Sequence, residues 1–546
     1  MARNIIPALA ALLLSTGVMQ AQDTPRTQAE LSGYQSTSLY SDVTAFIDQL
    51  RAMSGNIRVE SIGTSTEGRD IPLLVIARPV PDSPEALASD PRVVVYIQAN
   101  IHAGEVEGKE ASLMFARDIL KEKNSPILDH VILLICPVFN PDGNEKISTR
   151  NRTDQNGPAN GVGVRYNGQL LDLNRDAVKA ESPEMRGLLE NVFNRWDPAV
   201  FMDCHTTNGS YHVEPVTFTW MVNPNSDNSL IRYLRDTMMP AVSDRLKSKY
   251  KVENCFYGEF NDMLNPEKGW YMDAAEPRYV VNYYGLRNRF GILNENYIYA
   301  DFRSRVLGCY SLIRSLLEYA SANHSEIRRL IFEADRRAIE RNVSQTDSFA
   351  VEYSVRPAPR KVTIKTYEAE FESETDGWKR YRKTDRQKTV TVPYFIDYYP
   401  LRSVSVPYAY LVTVRDPVIA DLLRRHGILV EKLGEEVRLD VERYEIAELH
   451  GSGRLTQGHY MNKVRGQYVR ATADFPAGTL VIKMSQPLSR LAACLLEPES
   501  DDGMLTWNYF DRYLVPQWGR GFNPYPVSRV ADAVTLKTVP YIPEGN

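Results

Sequence analysis

The apolar positions along the chain switch repeatedly between helical spacing and the alternation or short apolar runs expected of strands. From Tyr40 to Ser54 the spacing is helical, with Val43, Phe46, Ile47 and Leu50 on one face. Val59 to Ile62 and Ile71 to Ile76 flank the turn-rich stretch from Gly63 to Arg69 and predict a hairpin. A strand over Val93 to Ile97, a helix over Lys109 to Leu120 and a strand over Val131 to Phe139 follow. Alternation of this kind argues an α/β sheet. Ser182 before Pro183 supplies a capping hydroxyl and a residue preset for the first helical turn, so a helix starts there and runs to about Arg195. It leads into the apolar run from Ala199 to Cys204. Asn223 to Tyr250 contains a further helix, and the aromatic segment from Phe256 to Tyr284 reads as long loops that wall a site. Gly308 to Ile339 reads as one continuous helix.

From about Val351 the texture changes to alternating polar and β-branched residues, as in Lys361 to Lys365 and Lys388 to Val392. Strand, helix and strand signals over Tyr410 to Val414, Pro417 to Arg425 and Ile428 to Val430 make this second region β-rich α+β. The 546 residues exceed one ordinary core. The expected division is a signal peptide over residues 1–21, a catalytic domain over 22–345 and a β-rich accessory domain over 346–546.

Arg3, the apolar stretch from Ile5 to Gly17 and the small residue Ala21 form the parts of a secretory signal, which predicts a secreted or periplasmic protein. No later stretch reaches transmembrane length, so no integral membrane segment is expected after signal removal. Hydrophobic content of 43% and charged content of 24% are those of a globular chain, and a net charge of −5 disfavours nucleic acid as a partner. The five cysteines are odd in number, and Cys136 and Cys204 lie inside apolar runs, so no disulfide framework is expected.

The candidate chemistry sits where apolar strands run out. His102 and Glu105 follow the strand from Val93, His205 closes the run from Ala199, and Glu295 follows Phe290 to Leu293. A mostly parallel sheet gathers functional groups at the carboxyl ends of its strands. Two histidines and a carboxylate make a catalytic zinc set with an open fourth position, and a second carboxylate can serve as the base. Asp203, two residues before His205, shares its strand face and can hold an imidazole as an outer partner. A zinc hydrolase acting on an amide bond is the reading these residues support.

These residues, with Gly63 to Ile71, the Asn140-Pro141-Asp142-Gly143 turn and Asp172-Leu173-Asn174-Arg175, resemble the M14 zinc carboxypeptidases over roughly residues 35–320. The resemblance implies a mixed eight-stranded sheet flanked by helices. It also implies one zinc ion held by His102, Glu105 and His205, with Glu295 as general base and acid. An oxyanion-stabilising arginine is expected between the Asn-Pro-Asp-Gly turn and Asn174; Arg150 is preferred there over Arg152. Asn174 and Arg175 match the segment that binds a substrate carboxylate, with Arg287 and Arg289 as alternatives. One of Tyr271, Tyr279, Tyr283 and Tyr284 is expected to line the site. The implied partner is a peptide or protein substrate and the implied activity is that of a metallocarboxypeptidase. An amidase, deacylase or peptidase acting on cell-wall or modified peptides is the alternative. A non-enzymatic binding protein ranks last, because all four site residues are present.

Overall fold

The computed structural model describes residues 24–542 except 208, 209 and 376. The expected signal peptide lies outside the described residues. Among the described residues ten strands precede residue 300: β1 (Ile57–Thr64), β2 (Asp70–Ile76), β3 (Val93–Ala99), β4 (Val131–Cys136), β5 (Val200–Thr207), β6 (Val216–Trp220), β7 (Asn254–Phe256), β8 (Glu259–Phe260), β9 (Trp270–Tyr271) and β10 (Phe290–Tyr297). Eight of them form one mixed sheet in the order β1-β2-β4-β3-β5-β10-β6-β7. The expected hairpin is β1–β2, paired from Ile57↔Ile76 to Thr64↔Asp70.

The central strands β3, β4 and β5 are buried along their whole length. That explains their continuous apolar runs, because helices cover both faces of a parallel sheet. The helix Glu107–Lys121 lies close against β5. Gly108 permits this approach, since a Cβ there would sit 2.5 Å from the Cβ of Cys204. The long helix expected over Gly308 to Ile339 is instead two helices, Phe302–Ala322 and His324–Val343. They part at Asn323, whose backbone leaves the helical region at φ −119° and ψ 20° and whose Nδ2 donates to the Tyr319 carbonyl at 2.9 Å. An asparagine that bonds a nearby backbone carbonyl competes with the helical ladder. The helix expected from Ser182 also changes character, running as Pro183–Gly187 and then as a π turn over Leu188–Phe193.

Beyond residue 345 the strands are β11 (Ser348–Pro357), β12 (Val362–Thr375), β13 (Trp378–Val392), β14 (Tyr394–Ser405), β15 (Ala409–Val412), β16 (Glu431–Leu433), β17 (Val437–Gly451), β18 (Asn462–Phe475), β19 (Leu480–Lys483), β20 (Val527–Val530) and β21 (Thr538–Pro540). β12 and β13 pair as a long antiparallel ribbon, and a seven-stranded sheet runs β18-β17-β20-β15-β19-β16-β21. A further sheet draws on both regions in the order β11-β14-β9-β8. In it Tyr394 and Phe395 pair in parallel with Trp270 and Tyr271. The segment expected to be loop-rich therefore contributes two short strands to a sheet that the second region completes.

Candidate metal centre

Sheet register brings the site together. β5 lies between β3 and β10, and Glu295 is the direct partner of His205 across the β5–β10 pair. His102 and Glu105 come from the turn that leaves β3. Asn100 opens that turn in the left-handed region at φ 65°, and its Nδ2 donates to the carbonyls of Ala103 and Glu105, each at 3.2 Å. Gly104 is needed in the turn, because a Cβ there would lie 2.6 Å from Cδ of Arg152 and 2.9 Å from the Gly163 carbonyl oxygen.

His102, Glu105 and His205 are almost wholly buried. Their Nδ1 atoms and carboxylate converge: the two Nδ1 atoms are 3.2 Å apart, Glu105 Oε1 is 3.1 Å from His102 Nδ1, and Glu105 Oε2 is 3.0 Å from His205 Nδ1. Each Nε2 faces a buried carboxylate, Asp172 Oδ1 at 3.0 Å for His102 and Asp203 Oδ2 at 2.8 Å for His205. Asp203 is fixed in turn by Gln98 Nε2 at 3.2 Å, and Gln98 Oε1 accepts from Tyr96 Oη at 2.9 Å. An imidazole that donates from Nε2 presents a lone pair at Nδ1. Two such lone pairs and a carboxylate aimed at one point form a donor set for a divalent cation, with the outer carboxylates setting the tautomers. The residues present fit a catalytic metal.

The electrostatics agree. Burial drives Glu105 upward, but His102 and Arg152 beside it, with hydrogen bonds from His102 and His205, hold it well below the usual carboxylate range. Burial pushes His205 down, and Asp203 and Glu105 more than reverse this, raising it well above the usual imidazole range. Asp172 is held far below the carboxylate range: burial raises it, and His102, Arg165 and Arg175 outweigh that. Glu295 behaves oppositely. Burial, aided by the Glu105 charge and opposed by His205, Arg152 and Arg165, pushes it up to about 8. Its Oε2 is buried with no hydrogen-bond partner among the described residues. A carboxyl with a raised affinity for protons beside a metal-type donor set is suited to proton transfer.

The structure does not bring Arg150 to this cluster. It is exposed in a turn, and its backbone N–H donates to Ser148 Oγ at 3.1 Å. Two other arginines stand there. Arg152 Nη1 donates to Glu105 Oε1 at 3.0 Å and its Nη2 to the Thr206 carbonyl at 3.1 Å. Arg165, which sequence reasoning missed, places Nε 2.8 Å from Asp172 Oδ2 and Nη1 3.7 Å from Glu105 Oε1. Its guanidinium also feels the charge of Glu295. The Asn-Pro-Asp-Gly turn is a fastening: Asp142 accepts from Ser65 Oγ at 2.7 Å, Glu67 N at 2.9 Å and Arg69 Nη1 at 2.7 Å.

Asn174 and Arg175 stand beside the same Asp172. The Asn174 amide oxygen accepts from Val280 N at 3.0 Å, and the Arg175 guanidinium lies 4.2 Å from the centre of the Tyr279 ring. An apolar pocket opens next to them, lined by Asn174, Trp220, Met272, Tyr279, Val281 and Leu293. Of the four candidate tyrosines only Tyr279 lines it. Tyr283 and Tyr284 are core residues, and Tyr271 stacks on Phe395 with ring centres 4.1 Å apart. Tyr257, also missed, is the phenol that feels the Glu295 charge. Arg287 and Arg289 are committed elsewhere, Arg287 Nη1 donating to the His426 carbonyl at 2.8 Å and Arg289 pairing with Asp197 and Asp335.

The second region reaches this site. Gln457, in the loop joining β17 to β18, accepts a hydrogen bond from Asp172 N at 2.7 Å, and His459 Nε2 lies 2.8 Å from Glu181 Oε1.

Residues 43–273 match the Peptidase M14 family, described as zinc carboxypeptidase. Human Carboxypeptidase D is 29% identical over 166 residues, a match that covers 29% of this chain but only 11% of that protein. Among solved structures, a metallo-carboxypeptidase from Pseudomonas aeruginosa aligns with TM-score 0.39 and 19% identity over 53% of this chain and 69% of that one. Carboxypeptidase A from Helicoverpa armigera aligns with TM-score 0.38 and 18% identity over 55% and 77%. Among the described residues no helix is long and apolar enough to cross a membrane.

Proposed function

Taking residues 43–273 as an M14 zinc-carboxypeptidase unit and the chain as a zinc metallopeptidase-like hydrolase, we propose that it is an exported metallocarboxypeptidase removing residues from free peptide C-termini. In this reading residues 22–345 carry the chemistry, residues 346–546 form an accessory β-rich part, and one zinc ion is held by His102, Glu105 and His205. When bound, zinc makes a water acidic enough to lose a proton near neutral pH. Glu295 takes that proton and returns it to the leaving amine nitrogen, a transfer for which its raised pKa suits it. Arg165, one-third exposed yet held by Asp172, supplies positive charge where the carbonyl oxygen becomes an oxyanion, with Arg152 behind it. Asp172 and Asp203 keep the two imidazoles in the Nε2–H tautomer throughout.

The observation that carries the exopeptidase reading is the Asn174–Arg175 pair next to the apolar pocket. The Asn174 amide oxygen is committed to Val280 N, so only its NH2 end can serve a substrate carboxylate. Arg175 adds a fork of donors held against the face of Tyr279. The pocket is small and mostly apolar, with Asn282 beside Asn174 in its lining, which favours a small uncharged terminal side chain.

The test is hydrolysis of a mixed peptide library by the zinc-loaded protein, with each peptide present as free acid and as C-terminal amide, read by mass spectrometry. Stepwise loss from free acids, absent for amides, for Glu295→Gln and after chelation, is expected. Equal cleavage of the amides would overturn the carboxypeptidase reading in favour of an amidase or endopeptidase.

A further inference from the structure

A second set of metal-ligand side chains lies at the same end of the sheet, across β6 from Glu295. His212 and Glu214 flank Val213 in the segment that enters β6, and Cys255 is the middle residue of β7, directly opposite Thr217 of β6. One ligand atom from each falls within 4.8 Å of the others, and His212 Nδ1 is 3.7 Å from Glu214 Oε2. All three side chains are more than nine-tenths buried, with exposures of 2%, 3% and 7%. None of them takes part in the chemistry proposed above.

What points to a ligand is the state of His212. Among the described residues its buried Nδ1 has no hydrogen-bond partner. The ring is clamped by stacking on Tyr297, with centres 3.8 Å apart, and by the edge of Trp270. Its backbone N–H donates to Tyr297 Oη at 3.1 Å, so the ring has little freedom to turn Nδ1 elsewhere. Glu214 is oriented by two backbone donors, Lys365 N to Oε1 at 3.0 Å and Val213 N to Oε2 at 3.3 Å. Both oxygens retain lone pairs. Burial pushes the imidazole down to about 3, despite a raising contribution from the Glu214 backbone, and pushes Cys255 and Glu214 up. In the absence of a cation the buried imidazole is therefore uncharged, and among the described residues its Nδ1 is bonded to neither Glu214 nor Cys255.

We propose that His212, Glu214 and Cys255 form a second, structural metal site that takes a zinc ion. Imidazole nitrogen, thiolate sulfur and carboxylate oxygen are the ligand types zinc combines. A thiolate and a carboxylate cancel the charge of a dication, so the filled site is neutral overall and suited to burial. On binding, the thiol gives up its proton to solvent, Glu214 contributes a carboxylate oxygen and the neutral imidazole its lone pair. The position gives the ion a purpose. β7 is the edge strand of the main sheet, and the His212 segment is bridged to β12 through Thr366, with Val213 N donating to the Lys365 carbonyl at 2.9 Å. The ion would fasten the β12–β13 ribbon to the sheet edge.

Cobalt separates this site from the catalytic one, because His102, Glu105 and His205 include no sulfur. The full chain is stripped with chelator, kept reduced, and titrated with cobalt chloride alone. Two cobalt ions per chain by equilibrium dialysis, with a near-ultraviolet thiolate-to-cobalt absorption band that zinc abolishes, are expected. Cys255→Ser and, separately, His212→Gln should remove the band and one of the two ions, whereas Glu105→Gln should leave the band. A single ion per chain, or two ions without the thiolate band while denatured protein still titrates a reduced Cys255, would overturn the site. If Cys255→Ser fails to fold, the wild-type band and the His212→Gln variant decide.

Discussion

The side-chain oxygen of Gln457 accepts a hydrogen bond from the backbone N–H of Asp172, across a separation of 285 positions. Asp172 in turn holds Nε2 of His102. A loop of the second region thus braces the carboxylate that orients a metal ligand. Outer partners of metal ligands typically contribute about 10- to 100-fold in affinity. Gln457 stands one step further out, so Gln457→Ala is expected to weaken zinc binding by about 3- to 10-fold, measured by competition with a chromophoric chelator. Leu455→Ala, at an exposed position in the same loop, should leave the affinity unchanged.

Arg165 and Arg150 make opposite predictions. Removing one donor to a developing oxyanion typically lowers kcat by about 10²- to 10³-fold. Arg165→Ala should fall in that range on a good peptide substrate, with zinc content retained. Arg150→Ala, whose side chain is exposed, should have wild-type kcat and KM.

Metal loading should release protons. Without a cation His205 is held well above the usual imidazole range and Glu295 up to about 8, so both carry protons at neutral pH. A cation at the His205 Nδ1 must displace one of them, and its charge favours ionised Glu295. Titration of zinc into weakly buffered protein near pH 7 with an indicator dye should show about one to two protons released per ion at this site. Affinity should fall as pH is lowered. The Cys255→Ser variant isolates this count from the second site.

Stability should decline in mild acid because of His426. Its ring is buried between the two regions, accepting from Tyr283 Oη at 2.8 Å and donating to the Val178 carbonyl at 2.9 Å. Burial pushes it down to about 3 from an ordinary 6.5. The unfolded chain therefore takes up a proton near 6.5 that the folded protein refuses until near 3. The stabilisation is complete above the upper value and is lost as pH falls, at about 1.4 kcal/mol per pH unit for this one group. Below about pH 6.5 urea unfolding should show a slope that includes this contribution, and His426→Gln should reduce it by about 1.4 kcal/mol per pH unit.

Four site residues are legible in the sequence because each stands where an apolar run stops: His102, Glu105, His205 and Glu295. A strand end fixes direction as well as position, and parallel register then places His205 beside Glu295. The central strands and the hairpin are readable for the same reason, since burial on both faces writes continuous apolar runs. Arg165 is not legible. Its role depends on Asp172 folding back under His102, a contact between positions 70 apart that no local pattern announces. Gln457 is a more extreme case, a polar residue in a loop whose single informative bond is tertiary. The single long helix expected near residue 323 fails because Asn323 leaves the helical backbone conformation while its side chain and its backbone N–H both donate to the Tyr319 carbonyl, an ending that periodicity does not register.

The sheet in which β14 pairs with β9 has an implication for how this molecule can be inherited and dissected. β9 belongs by sequence to the segment that walls the candidate active site, yet one of its two neighbours comes from beyond residue 345. Severing the chain there would strip Trp270 and Tyr271 of that neighbour and leave an open strand edge, a template for clumping. The second region is therefore no detachable appendage. Any exchange of that region with another chain would have to preserve this pairing, which joins segments contiguous in space but far apart in sequence.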